Sequence, residues 1–150
     1  MIQIIAIGKK HESWIEAGVE RYQKRLRKPF DVEWVLLPHS SKEGLQARED
    51  ESGRILSRLA PPDFVLLLDE RGELLDSSAL SRLFEQTLAS ASLTIVIGGA
   101  YGVNDELRAR ANRTLSLSPL VFPHQLVRLI VVEQIYRAEQ IARGGAYHHE

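Results

Sequence analysis

The sequence predicts an α/β fold, a mostly parallel sheet with helices on both faces, in one domain spanning residues 1–150. Three observations predict it. Apolar runs too continuous for a one-sided sheet recur at IQIIAI, FVLLL and LTIVI. Segments with helical apolar spacing alternate with them, which is the signature of a sheet covered on both faces. A chain of 150 residues is the size of one domain. It buries about two-thirds of its unfolded surface in one core.

Residues 2–7 read as a strand buried on both faces and closed by Gly8. Residues 12–28 read as a helix, with Ile15, Val19, Tyr22 and Leu26 on one stripe. Glu12, Glu16 and Glu20 fill its first half and Arg21, Lys24, Arg25, Arg27 and Lys28 its end. That order suits the helix dipole, and Pro29 stops the helix. Residues 30–37 alternate Phe30, Val32, Trp34 and Leu36 as a strand does, and 38–44 form a loop. Residues 45–59 form a weakly amphipathic helix, with Ile55, Leu56 and Leu59 late, broken by Pro61-Pro62.

Residues 64–68 are a second buried strand, closed by Asp69 and followed by a turn at ERGEL. Residues 78–89 form a helix with Leu80, Leu83, Phe84 and Leu88 inward, and Ser77 or Ser78 as its N-cap. Residues 93–97 are a third buried strand, ended by Gly98-Gly99. Asn104 caps a helix to Arg113, and 114–117 form a short strand. The last helix, 124–143, is apolar around most of its circumference and so is buried on more than one side. Leu129, Val132 and Tyr136 fall outside a single stripe. A partner subunit would cover them, which predicts a homodimer.

There is no cysteine, which removes disulfides, thiolate zinc sites and cysteine nucleophiles. The net charge of −1 argues against a free-standing nucleic-acid binder. Its distribution is uneven, with basic ends around an acidic middle, and all the lysines lie within the first 42 residues. The opening apolar run is too short for a signal segment or a membrane span. A reducing cytosol and no membrane are the expectation, so the protein is read as cytoplasmic.

Three segments are candidates for chemistry. IGGAYGVNDEL, 97–107, joins a buried strand through a glycine-rich turn to a capped helix, where parallel sheets bind ligands. It matches neither G-x-G-x-x-G nor a Walker A loop, and a tight strand-to-helix turn explains it equally well. A side chain on Gly98 is expected to occupy the space where a ligand meets the backbone. LSLSPLVFPHQLVR, 115–128, exposes backbone groups beside apolar side chains, which suits an adenine-like ring. A connection held by core leucines is the plainer account. His124 opens the last helix, and His148, His149 and Glu150 end the chain. With no second ligand cluster, no metal site is expected.

Together the motifs are specific. I-G-G-x-x-G at 97–102, L-S-L-S-P at 115–119, P-H-Q-L-V-R at 123–128, E-Q-x-Y-R-A at 133–138 and Y-H at 147–148 resemble the RlmH family. These are small single-domain SPOUT methyltransferases of large-subunit ribosomal RNA. The resemblance extends to the Gly8 turn and FVLLLDERG, so it spans essentially the whole chain. It implies methylation of N3 of a pseudouridine in helix 69 of 23S rRNA, with S-adenosylmethionine as donor and no metal. It implies a homodimer acting on the assembled 70S ribosome. It also implies a C-terminal trefoil knot, against the general rule that chains are unknotted.

Carried over by motif, donor contacts fall on Leu68, Gly98, Leu117, Ser118, Pro119, Leu120, Val121 and Phe122, with adenine between Leu68, Leu117 and Leu120. The catalytic candidates are His124, Arg128, Tyr147 and His148. His124 and His148 are the possible bases, and Arg128 and Arg137 the possible stabilisers of charge. One departure stands out. The family often ends Tyr-His-Lys or Tyr-His-Arg, whereas this chain ends His149-Glu150. A histidine there holds RNA less strongly at neutral pH. Two rival classes remain at this point, a non-enzymatic nucleotide-binding module and a ribosome-binding factor with a relic pocket.

Overall fold

The computed structural model describes residues 1–149. Five parallel strands form one sheet in the order β2-β1-β4-β3-β5. They are β1 (Ile2–Ile7), β2 (Val32–Leu37), β3 (Phe64–Leu74), β4 (Leu93–Ile97) and β5 (Arg113–Ser116). Five helices connect them: α1 (Ser13–Gln23), α2 (Gly44–Leu56), α3 (Ser77–Leu88), α4 (Asp105–Arg110) and α5 (His124–Ala142).

Side chains alternate between the two faces of each strand. Ile2, Ile4 and Ala6 of β1 pack with Ile15 and Val19 of α1, Leu83 and Phe84 of α3, and Val131, Val132 and Ile135 of α5. Ile5 and Ile7 face the opposite way, onto Ile55 of α2 and Leu107 of α4. The apolar runs are continuous because both faces are covered.

Several boundaries differ from the sequence expectation. α1 ends at Gln23, well before Pro29, and the chain continues in turns through Leu26. The segment expected as a turn at ERGEL is the second half of β3. Leu66, Leu67 and Leu68 pair with Arg113, Thr114 and Leu115; after a register shift, Glu73 and Leu74 pair with Leu115 and Ser116. Here only glycine fits at position 72, since a Cβ would lie 2.7 Å from the backbone of Thr114 and Leu115. The N-cap of α3 is Asp76, not Ser77 or Ser78, and its carboxylate accepts from Ala79 N–H at 2.7 Å. Asn104 does cap α4, accepting from Leu107 N–H at 2.9 Å. That helix stops at Arg110 because Asn112 bonds to the edge of β3 instead, through Val65 N–H at 2.7 Å.

α5 lies against both α1 and α3. Val132, expected outside the stripe, is fully buried in this chain's own core. Leu129 leans on Gly18 of α1, while Leu126, Ile130 and Tyr136 stay half-buried.

Candidate functional site

A cavity of about 620 Å³ opens at the carboxyl ends of β3, β4 and β5, where parallel sheets place ligands. Ile97 ends β4 beneath it, and Leu68 ends the apolar half of β3 at the register shift. One wall is the 98–103 loop. Gly102 takes a positive φ of 77°, and its N–H donates to Gly99 O at 3.1 Å. The opposite wall is the 117–122 segment, fastened by its own hydroxyls. Ser116 Oγ donates to Ser118 O at 3.0 Å, and Ser118 Oγ accepts from Leu120 N–H at 2.9 Å. Leu120 and Val121 stand 70% and 77% exposed, an apolar lip with no cover in the single chain. Apolar faces with a few fixed polar groups are what a small-molecule site needs.

The rim is polar. Asp69 pairs with Arg108 at 2.9 Å and accepts from Arg71 N–H at 2.8 Å. Burial alone would raise the Asp69 pKa, but these hydrogen bonds and the Arg108 charge outweigh it and hold the carboxylate below its usual value. From outside, α2 grips the glycine loop. Arg48 Nε donates to Tyr101 O at 2.7 Å, and Ser52 Oγ accepts from Asn104 N–H at 2.9 Å. Glu51 is buried, with one oxygen on Ser40 N–H at 2.9 Å and the other against Gly99.

Most of the expected cofactor residues converge. Leu68, Gly98, Leu117, Ser118, Leu120, Val121 and Phe122 all line the cavity, as does His124 from the start of α5. Pro119 does not line it and is exposed, so it shapes the loop from outside. A Cβ on Gly98 would meet Val103 Cγ1 at 2.9 Å, a neighbour that also lines the cavity.

The catalytic candidates separate. His124 sits at the cavity wall. Desolvation, then the charges of Arg128 and His39, push its pKa below the ordinary 6.5, with Glu51 working the other way. Its imidazole is therefore neutral at neutral pH. Arg128, from the same turn, is 1% exposed. It donates to the carbonyls of Ile7 at 2.9 Å, Gly8 at 3.2 Å and Lys10 at 3.1 Å, and stands 3.1 Å from His11 Nδ1.

Tyr147 and His148 lie elsewhere. The Tyr147 hydroxyl donates to Glu133 at 3.2 Å, and Arg137 bonds the same carboxylate at 2.8 Å. Arg137 lies 4.8 Å from the Tyr147 ring centre and 3.1 Å from His148 Nδ1. Burial, then Tyr22 and Glu133, raises the Tyr147 pKa, so the phenol stays protonated and donates. His148 lines a second cavity of about 570 Å³, with Asp76 and Gln134. The two cavities share Leu115, Ser116 and Leu117, so one strand end separates them. His149 is exposed, and Glu150 lies outside the described residues.

Sequence reasoning missed Asp69, Arg71, Arg108 and Glu133. Asp69 carried a signal, a charge closing an apolar strand at its carboxyl end. Arg108, 39 residues away from it, carried none.

Compared with known proteins, residues 1–148 match the family model described as "Predicted SPOUT methyltransferase". The chain is similar to Ribosomal RNA large subunit methyltransferase H of Oleidesulfovibrio alaskensis, 36% identical over 99% of this chain and 98% of that protein. It is similar to the protein of the same name from Parasynechococcus marenigrum, 39% identical over 97% and 94% of the two chains. Among solved structures it resembles one described as a hypothetical protein, with a TM-score of 0.56 at 12% identity over 95% of this chain and 81% of that one. That likeness concerns the fold alone.

Proposed function

The chain belongs to the SPOUT methyltransferase family, and from that premise we propose that it methylates large-subunit ribosomal RNA at N3 of a pseudouridine in helix 69 of 23S rRNA, with S-adenosylmethionine as donor. The names of its relatives support the ribosomal RNA substrate. The observation that carries the donor site is the cavity between the glycine turn and the hydroxyl-fastened loop. Leu68, Leu117 and Leu120 suit the faces of an adenine, and the backbone of 98–102 and 117–122 suits its polar edge.

When bound, S-adenosylmethionine supplies a methyl group on a sulfonium, which leaves as a neutral thioether. The chain's own residues hold the target and handle its proton. Fixing two reactants in line accounts for much of such a barrier. As N3 forms its bond to the methyl carbon, its proton must leave, and His124 at the wall is the assigned acceptor. Arg128 is spent on three backbone carbonyls and acts by positioning that turn. Tyr147 and His148, held by Glu133 and Arg137, serve the RNA target, His148 from the adjoining cavity.

A C-terminal trefoil knot is part of the proposal. It is supported by the match of residues 1–148 to the SPOUT methyltransferase family model. A homodimer is also part of it, supported by the exposed Leu120 and Val121 and the half-buried Leu126 and Ile130. No helix among the described residues is long and apolar enough to cross a membrane. Cytoplasmic action on the 70S ribosome follows from the substrate. Calorimetric titration with S-adenosylmethionine tests the site, and no heat of binding at millimolar donor would overturn it.

A further inference from the structure

Resting on the RNA-methylation reading above, we propose that the turn from β1 into α1 is a contact surface for an unpaired stretch of RNA. Trp14 stacks on a base, and Lys9 and Lys10 meet phosphates of the same strand.

Trp14 is 58% exposed, an unusual position for the largest side chain. It is also fixed. Its indole N–H donates to Glu12 Oε2 at 2.7 Å, so the ring is held outward. The turn beneath it is fastened to α5. Glu12 N–H donates to Gln125 Oε1 at 2.9 Å, Gln125 Nε2 to Lys10 O at 3.3 Å, and Arg128 to the same carbonyl at 3.1 Å. His124 and Val127 line the donor cavity from that same helix turn. The aromatic platform and the cavity wall are therefore parts of one rigid unit.

Lys9 and Lys10 are exposed, and neither forms an ion pair among the described residues. Free ammonium groups beside a rigid aromatic ring match single-stranded nucleic acid, which offers stackable faces and regularly spaced phosphates. A duplex keeps its bases stacked and has no open face for the indole.

The test uses the full chain, 70S ribosomes, and a fluorescein-labelled single-stranded RNA decamer. The variants are Trp14→Ala, Trp14→Phe, and Lys9→Gln with Lys10→Gln. Trp14→Ala should raise the KM for ribosomes about tenfold and weaken decamer binding by a similar factor, with kcat and donor affinity unchanged. Trp14→Phe should recover most of the loss. The double lysine variant should flatten the slope of log affinity against log salt by about 1.4, at roughly 0.7 per phosphate. Unchanged KM and decamer affinity in Trp14→Ala would overturn the proposal. So would a change of oligomeric state on sedimentation, which would make this face a subunit contact. If the wild type binds donor yet methylates no ribosomes, the substrate reading fails separately, and the decamer arm alone decides the surface.

Discussion

Arg128 reaches from the second turn of α5 to the carbonyl of Gly8, 3.2 Å away just past the end of the interior strand β1. A Cβ on Gly8 would lie 2.8 Å from the same guanidinium, and the residue takes a φ of 120°. The pair ties the helix bearing His124 to an interior strand of the sheet.

Arg128→Met should therefore act on stability first. It leaves the carbonyls of Ile7, Gly8 and Lys10 without this donor, at about 1–3 kcal/mol for each group that stays buried. A loss of about 3–5 kcal/mol is expected on urea unfolding. Arg128→Lys should recover only part, because an ammonium cannot span the same fork. A loss below about 1 kcal/mol for Arg128→Met would show that water satisfies these carbonyls.

Gly98→Ala should weaken donor binding about tenfold by displacing the loop, since the new atom strikes Val103 Cγ1. Val103→Ala in the same chain removes the struck atom and should restore most of the affinity. Calorimetry on the three proteins separates the causes. Failure of the rescue would mean that the methyl group blocks the donor directly.

The buried strands were legible in the sequence because parallel strands covered on both faces must be apolar throughout, as Ile4, Leu66 and Ile95 are. Asn104 was legible because a cap is local chemistry. The second half of β3 was not. Asp69 to Leu74 is polar, and what makes it a strand is pairing to Leu115 and Ser116, about 40 residues on. The cavity wall could be read from the motifs at 97–102 and 115–122. The burial of Arg128 could not, because its partners are backbone carbonyls at the far end of the chain and carry no side-chain signature.

Removing residues 147–150 should lower methyl transfer to ribosomes by about 10²-fold, the low end for losing a positioned polar group. Donor affinity should be unchanged, because Tyr147 and His148 do not line that cavity. Glu133→Gln should reproduce part of the loss, since Glu133 holds both Arg137 and Tyr147. Both proteins should sediment at twice the chain mass of 16.9 kDa. A truncated protein with the wild-type rate would remove the tail from the reaction.

Proton linkage should be visible at mildly acid pH. His11 and His124 both have folded pKa values below the ordinary 6.5, by burial first and then by the Arg128 charge. As the pH falls through 6.5, the unfolded chain takes up protons that the folded chain does not, so stability drops. Thermal unfolding should show Tm falling in that range, and His124→Gln should lessen the fall. The acid limb of kcat/KM should lie below 6.5, since the neutral imidazole is the active form. A limb above that value would exclude His124 as the acceptor.

The central claim is methyl transfer to ribosomal RNA, and labelled methyl incorporation tests it most directly. Tritiated S-adenosylmethionine is given to 70S ribosomes whose target pseudouridine lacks the methyl group, and the rRNA is digested to nucleosides. One labelled nucleoside, N3-methylpseudouridine, is expected at near one per ribosome, and none when helix 69 carries uridine instead. Label on another nucleoside, or no label in a protein that binds the donor, would contradict it.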